Sequence, residues 1–582
     1  MTERPQPTDQ PTDQPVDEAS EQSALLSNSA VMAAGTAVSR LSGFLRAALL
    51  SYALGKSVHA DVFNVANSLP NMLYILLAGG IFNAVLVPQL VRSMRSDPDR
   101  GEAYTNRIVT LSALFLGAVT VVLVAAAPWI MDIFLSPDYD KPELAAQRDS
   151  IIAFARYCLP QVFFYGMFAL VGQVLNARRR FGPMMWAPVA NNLVSIAILV
   201  GYLVYYGPVA DDALCTAYTP AQEAWLGLGS TLGIAVQLLV LVPFLRAAGF
   251  HYRPRFDFKG TGLGHTLRLG LWTVLFVVVN QVAYAVVVNL ASGGTAQSLG
   301  TCASGAGKLD GTGYTVYAQT FLIVMVPHAV VTVSLATAML PLLSSQGSTG
   351  DLRGLGVSLA RVLRTALAVI VPFAVLLPVV APDLAVILWD WGAASSTYSL
   401  FILSLSLFGV GVVFFTIHYL VLRGFYALER TRTVFFIQCA VAATNIVVAV
   451  VLVRATDAEH TAPALVLAYT ASYVVGSAVS YLVLRRSLAK GGGGLATATT
   501  VRFLVRLLVA TGVAAFASWG MATVLPGHDD PSHLLALLRL VLVGGANVLV
   551  FLVLARLMRL TEVNEVIDTV TRRLRRPTTS SR

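Results

Sequence analysis

Two arginines, Arg40 and Arg46, stand inside the first hydrophobic stretch of the chain, Ala30 to Leu54. A cation at the centre of a bilayer helix costs about 2.5–3.5 kcal/mol on insertion scales, so both must face protein or water rather than lipid. The planar guanidinium fork matches phosphate oxygens, and a cavity holding two of them suits a diphosphate better than a neutral or cationic solute. A structural role, as an ion pair with Asp61 or in bonds to backbone carbonyls, is the competing one. On a helical wheel Gly35, Ser39, Ser42 and Arg46 form one stripe, flanked by Thr36, Arg40 and Gly43. Together they make a small and polar sector of roughly 160°. The second hydrophobic stretch carries Asp61, Asn64, Asn67 with Ser68, and Asn71 at helical spacing. Two such stripes side by side would line a hydrated cavity, while asparagines also fasten membrane helices to one another.

Other polar residues within apolar stretches carry weaker signals. His328 and His418 read as packing or hydrogen-bonding residues more readily than as proton carriers. Asn280-Gln281 could hold a coupling cation or join helices, and Arg268, Arg361 and Arg364 sit where their side chains can snorkel to the interface. No Walker loop, HExxH, Gly-x-Ser-x-Gly or clustered Cys/His set occurs, so neither a catalytic residue nor a metal or other cofactor is expected.

The elements that position these residues follow from composition. Of 582 residues, 56% are hydrophobic and 12% charged, with a mean hydropathy of +0.70. Soluble domains carry about 25% charged residues, so the chain reads as an all-α polytopic membrane protein. Stretches of at least about 18 apolar residues fall near 28–54, 62–92, 106–135, 150–176, 184–206, 224–248, 264–292, 314–344, 358–386, 398–424, 432–453, 462–485, 501–525 and 533–558, which makes fourteen spans. Pro70 and Pro327 are expected to kink the second and eighth.

Loop charge orients the spans. The net charge of +9 lies in short connections, such as Arg178-Arg179-Arg180 and Arg430 with Arg432, rather than in a basic domain, which argues against a nucleic-acid partner. By the positive-inside rule these loops and both termini are cytoplasmic. The alternate loops, with Asp138, Asp140 and Glu143 or Asp457 and Glu459, are extracytoplasmic. Cys215 and Cys302 then fall in two different extracytoplasmic loops, as a disulfide or as two free thiols; Cys158 and Cys439 lie within spans.

A weak internal similarity relates Leu175-Asn176-Ala177-Arg178-Arg179-Arg180 to Phe425-Tyr426-Ala427-Leu428-Glu429-Arg430, each joining one span to the next. Duplicated halves are common among secondary transporters. The expected organisation is a disordered tail over 1–27, a first lobe over 28–250, a second over 251–490, two appended helices over 491–560 and a tail over 561–582.

Ser39-Arg40-x-x-Gly43-Phe44-x-Arg46, Asp61-x-Phe63, Leu69-Pro70-Asn71, Gly80-x-Phe82 and Val87-Pro88 resemble the opening signature of the MurJ (MviN) family of lipid II flippases. Leu175-Asn176, Arg180-Phe181, Ala187-Pro188, Asn191-Asn192 and Leu340-Pro341-Leu342-Leu343-Ser344 resemble later segments of the same family. The resemblance implies two six-helix lobes in a V around a central cavity, as in the multidrug/oligosaccharidyl-lipid/polysaccharide exporters, with two further helices forming a lipid groove. It implies a bacterial plasma-membrane protein that carries lipid II, an undecaprenyl-diphosphate-linked disaccharide pentapeptide, to the outer leaflet by alternating access. The partners would be lipid II, membrane lipids and cell-wall synthesis proteins. Arg40 and Arg46 would bind the diphosphate, Asp61 would pair with one of them in the empty site, and Ser39, Asn64, Asn67 and Asn71 would bond the sugars or water. Ala47, Tyr74, Ile75, Gly79 and Leu322 replace charged residues that are frequent in the family. Those departures leave two other readings open: a flippase for another polyprenyl-linked glycan or an amphipathic drug, and a transport-inactive cell-wall scaffold.

Overall fold

The computed structural model describes residues 18–55, 58–75, 99, 101–178, 180–210, 216–257, 263–303, 311–527 and 532–564, with backbone alone for 18–33, 263–270, 300–303 and 396. Apolar segments in lipid must satisfy their backbone hydrogen bonds internally, which leaves helices as the local solution. In chain order these are α1 (Glu18–Leu54), α2 (Val58–Tyr74), α3 (Glu102–Ala125), α4 (Ala127–Phe134), α5 (Ala145–Cys158), α6 (Gln161–Ala177), α7 (Gly182–Tyr206), α8 (Pro220–Leu239) and α9 (Leu241–Ala247). The second half holds α10 (Leu263–Ala303), α11 (Tyr314–Pro327), α12 (Val333–Ser348), α13 (Leu352–Trp389), α14 (Leu400–Ala427), α15 (Thr431–Ala455), α16 (Thr461–Ala489), α17 (Thr497–Val524) and α18 (His533–Leu557).

Twelve helical stretches among the described residues are long and apolar enough to cross a membrane, and they coincide with the third to fourteenth expected spans. The first two spans correspond to α1 and α2. α1 already begins at Glu18, inside the segment expected to be a disordered tail. Gly80, Phe82, Val87 and Pro88 lie outside the described residues, as does Cys215. Cys302, expected in a loop, belongs to the last turn of the 41-residue α10, so its pairing with Cys215 also lies outside the description. Pro70 is accommodated within α2. At Pro327 the missing N–H is absorbed by a π-helical turn, His328–Thr332, before α12 resumes.

Packing repeats with a period of six spans. In the first half α1 packs on α7, α7 on α8, α2 on α5, α3 on α6 and α5 on α8. Six spans on, α10 packs on α15, α15 on α16, α11 and α12 on α14, α13 on α14 and α14 on α16. The two basic loops end their helices identically: the Arg180 N–H donates to the Leu175 carbonyl and the Arg430 N–H to the Phe425 carbonyl, each at 2.9 Å. These i→i−5 bonds are the Schellman closure, and they fall on the positions that the sequence similarity aligns. Each half buries its own apolar seam, for example Phe168, Leu170 and Leu175 in the first and Phe425, Ile437 and Leu484 in the second.

The α17–α18 hairpin packs on α13 and is pinned at both ends. Arg539 Nε lies 3.0 Å from Asp383 Oδ1, with side chains only 5% and 3% exposed, and its Nη1 donates to the Leu525 and Pro526 carbonyls. At the opposite end Arg364 pairs with Glu562 at 2.5 Å instead of snorkelling. Removing one partner of a buried ion pair leaves an uncompensated charge, at a cost of about 3–5 kcal/mol. Arg539→Met should therefore lower the melting temperature of the detergent-solubilised protein sharply, and adding Asp383→Leu should restore most of it. An unchanged melting temperature in the single variant would refute the pin.

Candidate functional site

Between the two halves lies a cavity of about 660 Å³. Its walls come from α1, α2, α6, α7 and α8 on one side and α10, α11, α15 and α16 on the other. Among the described lining residues Arg46 is the one charged side chain. The rest of the polar lining is neutral: amides such as Asn64, Asn67, Asn71 and Gln438, with hydroxyls and tyrosines. Ile75 and Leu322, at positions where the resemblance leads one to expect arginine, both face this space.

The two arginines of α1 part company. They are six residues apart, hence about 9 Å along the helix and about 120° around it. Arg46 lines the cavity near Tyr165 of α6, whose ring stacks on Tyr74 at 4.9 Å. Arg40 is exposed and lies outside the cavity lining. Ser39 also lies outside the cavity lining; its backbone carbonyl accepts from Asn192 Nδ2 at 3.0 Å, and Ser42 Oγ accepts from the same nitrogen at 2.9 Å. Gly35 completes this contact, because a Cβ there would sit 2.8 Å from the Trp186 indole nitrogen.

Asn64, Asn67 and Asn71 of α2 all line the cavity, as their common stripe predicts. Asn67 Oδ1 accepts from Gln161 Nε2 at 3.0 Å and Ser230 Oγ at 2.8 Å, tying α2 to α6 and α8. Asn64 Nδ2 donates to Thr315 Oγ1 of the second half at 2.9 Å. Asn280 and Gln281 act as helix joiners: Asn280 accepts from Gln438 at 2.7 Å, and Gln281 donates to the Met72 carbonyl at 2.5 Å. His328 and His418 bond Thr416 and Ser480, at 2.9 and 3.4 Å, outside the cavity lining. Gln161 with Tyr165, and Tyr469 with Tyr473, are lining pairs that the sequence reading overlooked. Each is a polar or aromatic i, i+4 pair on an otherwise apolar helix, and that spacing is the signal that could have marked them.

Asp61 departs from its expected role. It lies in the first turn of α2, about 7 Å nearer the acidic-loop end than Arg46 by helical rise, too far to pair with either arginine. Its carboxylate instead accepts the backbone N–H groups of Tyr314 at 3.0 Å and Thr315 at 2.6 Å, together with the Thr295 hydroxyl. The first-half helix α2 thereby caps the N-terminus of the second-half helix α11, satisfying orphan donors and meeting the positive end of the helix dipole. Gly313 makes room, since a Cβ there would collide with Asp61 and Thr295. Ser51 adds a bond from α1 to Gln319 at 2.9 Å, and Gln319 also accepts the Trp389 indole N–H at 2.6 Å. The cavity is thus closed at the acidic-loop end by hydrogen bonds between the halves.

A charge-assisted bond of this kind contributes about 1.5–3 kcal/mol. In a chain whose native cysteines are replaced, Ser68→Cys should react with a membrane-impermeant thiol reagent about tenfold faster from the acidic-loop face when Asp61→Ala or Gly313→Ala is added. Equal rates with and without those changes would show that the cap does not hold the closure.

A family model described as lipid II flippase MurJ matches residues 50–537. The chain is 26% identical over 501 residues to a relative from Rhizobium meliloti, covering 85% of this chain and 86% of that one. It is 26% identical over 487 residues to a Burkholderia cenocepacia protein named lipid II flippase MurJ, covering 82% and 87%. A solved lipid II flippase MurJ in an inward closed conformation superposes with a TM-score of 0.66 at 16% identity, over 90% of this chain and 98% of that one, a likeness of fold. With a family match over most of its length, the chain belongs to the lipid II flippase MurJ family.

Proposed function

We propose that this multi-pass membrane protein flips lipid II from the cytoplasmic to the outer leaflet by alternating access, without covalent chemistry. The observation that carries this reading is Arg46, the one guanidinium among the described lining residues, in an otherwise neutral, amide-lined cavity between two pseudo-repeated halves of a chain of this family. The basic loops and both termini would face the cytoplasm, so the capped end of the cavity would face outward.

In such a cavity Arg46 supplies the attraction that brings a diphosphate out of water. Two unit charges 4 Å apart interact by about 4 kcal/mol at an effective dielectric constant of 20. The guanidinium fork adds direction, which a lysine ammonium lacks. Arg40, exposed about 9 Å nearer the basic-loop end, would meet the diphosphate on its way to Arg46. Asn71, exposed to the cavity, and Asn64 offer the uncharged headgroup donors and acceptors. Passage outward requires the bonds of Asp61 and Ser51 to the second half to break while those within each half persist. A membrane potential positive outside would favour return of the empty cationic cavity, at about 2.3 kcal/mol per charge per 100 mV.

The test is outer-leaflet exposure of lipid II in cells depleted of the native protein and supplied with variants at matched levels. Arg46→Ala should lower exposure about tenfold to a hundredfold, the value of a charge-assisted contact. Arg46→Lys should recover part of it, and Arg40→Ala should cost less than Arg46→Ala. Full activity of Arg46→Ala would sink the cavity-cation mechanism. Ile75 and Leu322, apolar and facing the cavity, favour a second reading, a transport-inactive scaffold for cell-wall synthesis proteins. That reading predicts no change in lipid II exposure on depletion.

A further inference from the structure

The second-half wall of the cavity carries hydrogen-bonding groups that the described residues leave without partners. Tyr469, on α16, lines the cavity and is only 6% exposed, yet its hydroxyl has no hydrogen-bond partner among the described residues. Asn445, on α15, also lines it, and its Oδ1 is likewise buried without a partner. The Tyr469 ring is held by Tyr473, Phe408 and Phe321, with centroids at 4.7, 5.6 and 5.7 Å, so the hydroxyl has a defined position. Buried polar groups are almost always bonded, and orphans on a cavity wall point to a ligand that completes them.

Depth places the two groups together. Tyr469 is eight residues, about 12 Å, from the acidic-loop end of α16; Asn445 is ten residues, about 15 Å, from that end of α15. The two helices pack against each other. Arg46 is eight residues, about 12 Å, from the same end of α1, so each of the three lies about 12–15 Å in from the acidic-loop end of its own helix. The second-half wall therefore carries one hydroxyl donor and one carbonyl acceptor without partners among the described residues, with the apolar ring of Phe321 packed on Tyr469, and the only charged lining group described is Arg46 on the first-half wall.

A secondary amide bearing a methyl group is the complement: its carbonyl accepts from Tyr469, its N–H donates to Asn445 and its methyl meets Phe321. We propose that Tyr469 and Asn445 form a subsite for the 2-acetamido group of the sugar joined to the diphosphate, and that they set selectivity for acetamido over plain sugars. Stem-peptide amides share this chemistry. The sugar nearest the diphosphate is favoured because the subsite lies at a similar helical depth to Arg46. The proposal rests on the lipid II reading and deepens it.

The experiment measures binding to the full chain in lipid nanodiscs by native mass spectrometry. The ligands are undecaprenyl diphosphate, its glucose and N-acetylglucosamine conjugates, and lipid II. The wild-type chain should prefer the acetamido conjugate to the glucose conjugate by about tenfold, the worth of two neutral hydrogen bonds. Tyr469→Phe and Asn445→Leu should each reduce that preference several-fold, and together abolish it, while leaving undecaprenyl diphosphate binding unchanged. Arg46→Ala should weaken all four ligands. Retention of the preference in the double variant would overturn the proposal, as would equal weakening of every ligand. Dependence on Tyr469 seen with lipid II alone would assign the subsite to the peptide and overturn it too. If Arg46→Ala leaves all binding intact, the lipid II reading itself fails, a result distinct from loss of acetamido preference alone.

Discussion

One buried carboxylate joins the two halves. Asp61 lies within an apolar span, where an unpaired charge is costly, and the first N–H groups of α11 lie there too, where unpaired donors are costly. Each resolves the other: the carboxylate accepts from Tyr314 and Thr315, and the positive end of α11 compensates its charge. Because the donor helix belongs to one half and the acceptor to the other, local satisfaction becomes a long-range contact. With the Ser51–Gln319 bond and the apolar cluster around them, it closes the cavity at the acidic-loop end. Gly313 is part of the same constraint, since only a residue without Cβ lets the carboxylate approach.

The halves themselves are held differently. Within each, apolar seams are buried between neighbouring helices, following the same contacts six spans apart. Between them, at the closed end, discrete polar bonds, Asp61 to α11, Ser51 to Gln319 and Asn64 to Thr315, are set in an apolar cluster that both halves share, with Leu54, Val62 and Phe63 from one and Val288, Ala291 and Val316 from the other. Opening that end would exchange the polar bonds for water and expose the shared apolar cluster, whereas the seams within each half can stay buried. The α17–α18 hairpin belongs mechanically to the second half, because Asp383 and Arg364 fasten its two ends to α13.

The cavity is sparsely charged. With Ile75 and Leu322 facing inward, Arg46 acts in an environment of amides and tyrosines. A single cation in a low-dielectric setting exerts a strong but localised attraction. Recognition of the rest of a large headgroup then falls to neutral hydrogen bonds, which discriminate by leaving partners unsatisfied rather than by attraction.

Much of this was legible in the residue order. Apolar length required helices, and twelve of the expected spans reappear at their places because backbone groups in lipid have no other partner. The aligned basic loops foretold the duplication, and the asparagine stripe foretold the cavity face of α2, since both depend on periodicity along one helix. What lies between helices was not legible. Arg40 and Arg46 look alike in sequence, yet a turn of about 120° sends one outside the cavity lining and one into it. Ser39 was committed to Asn192, and Asp61 to the start of a helix some 250 residues later, by contacts that no local pattern encodes. The chain alone determined which residues share a face; only the tertiary structure decided what each face meets, because that depends on the depth and rotation at which separate helices pack.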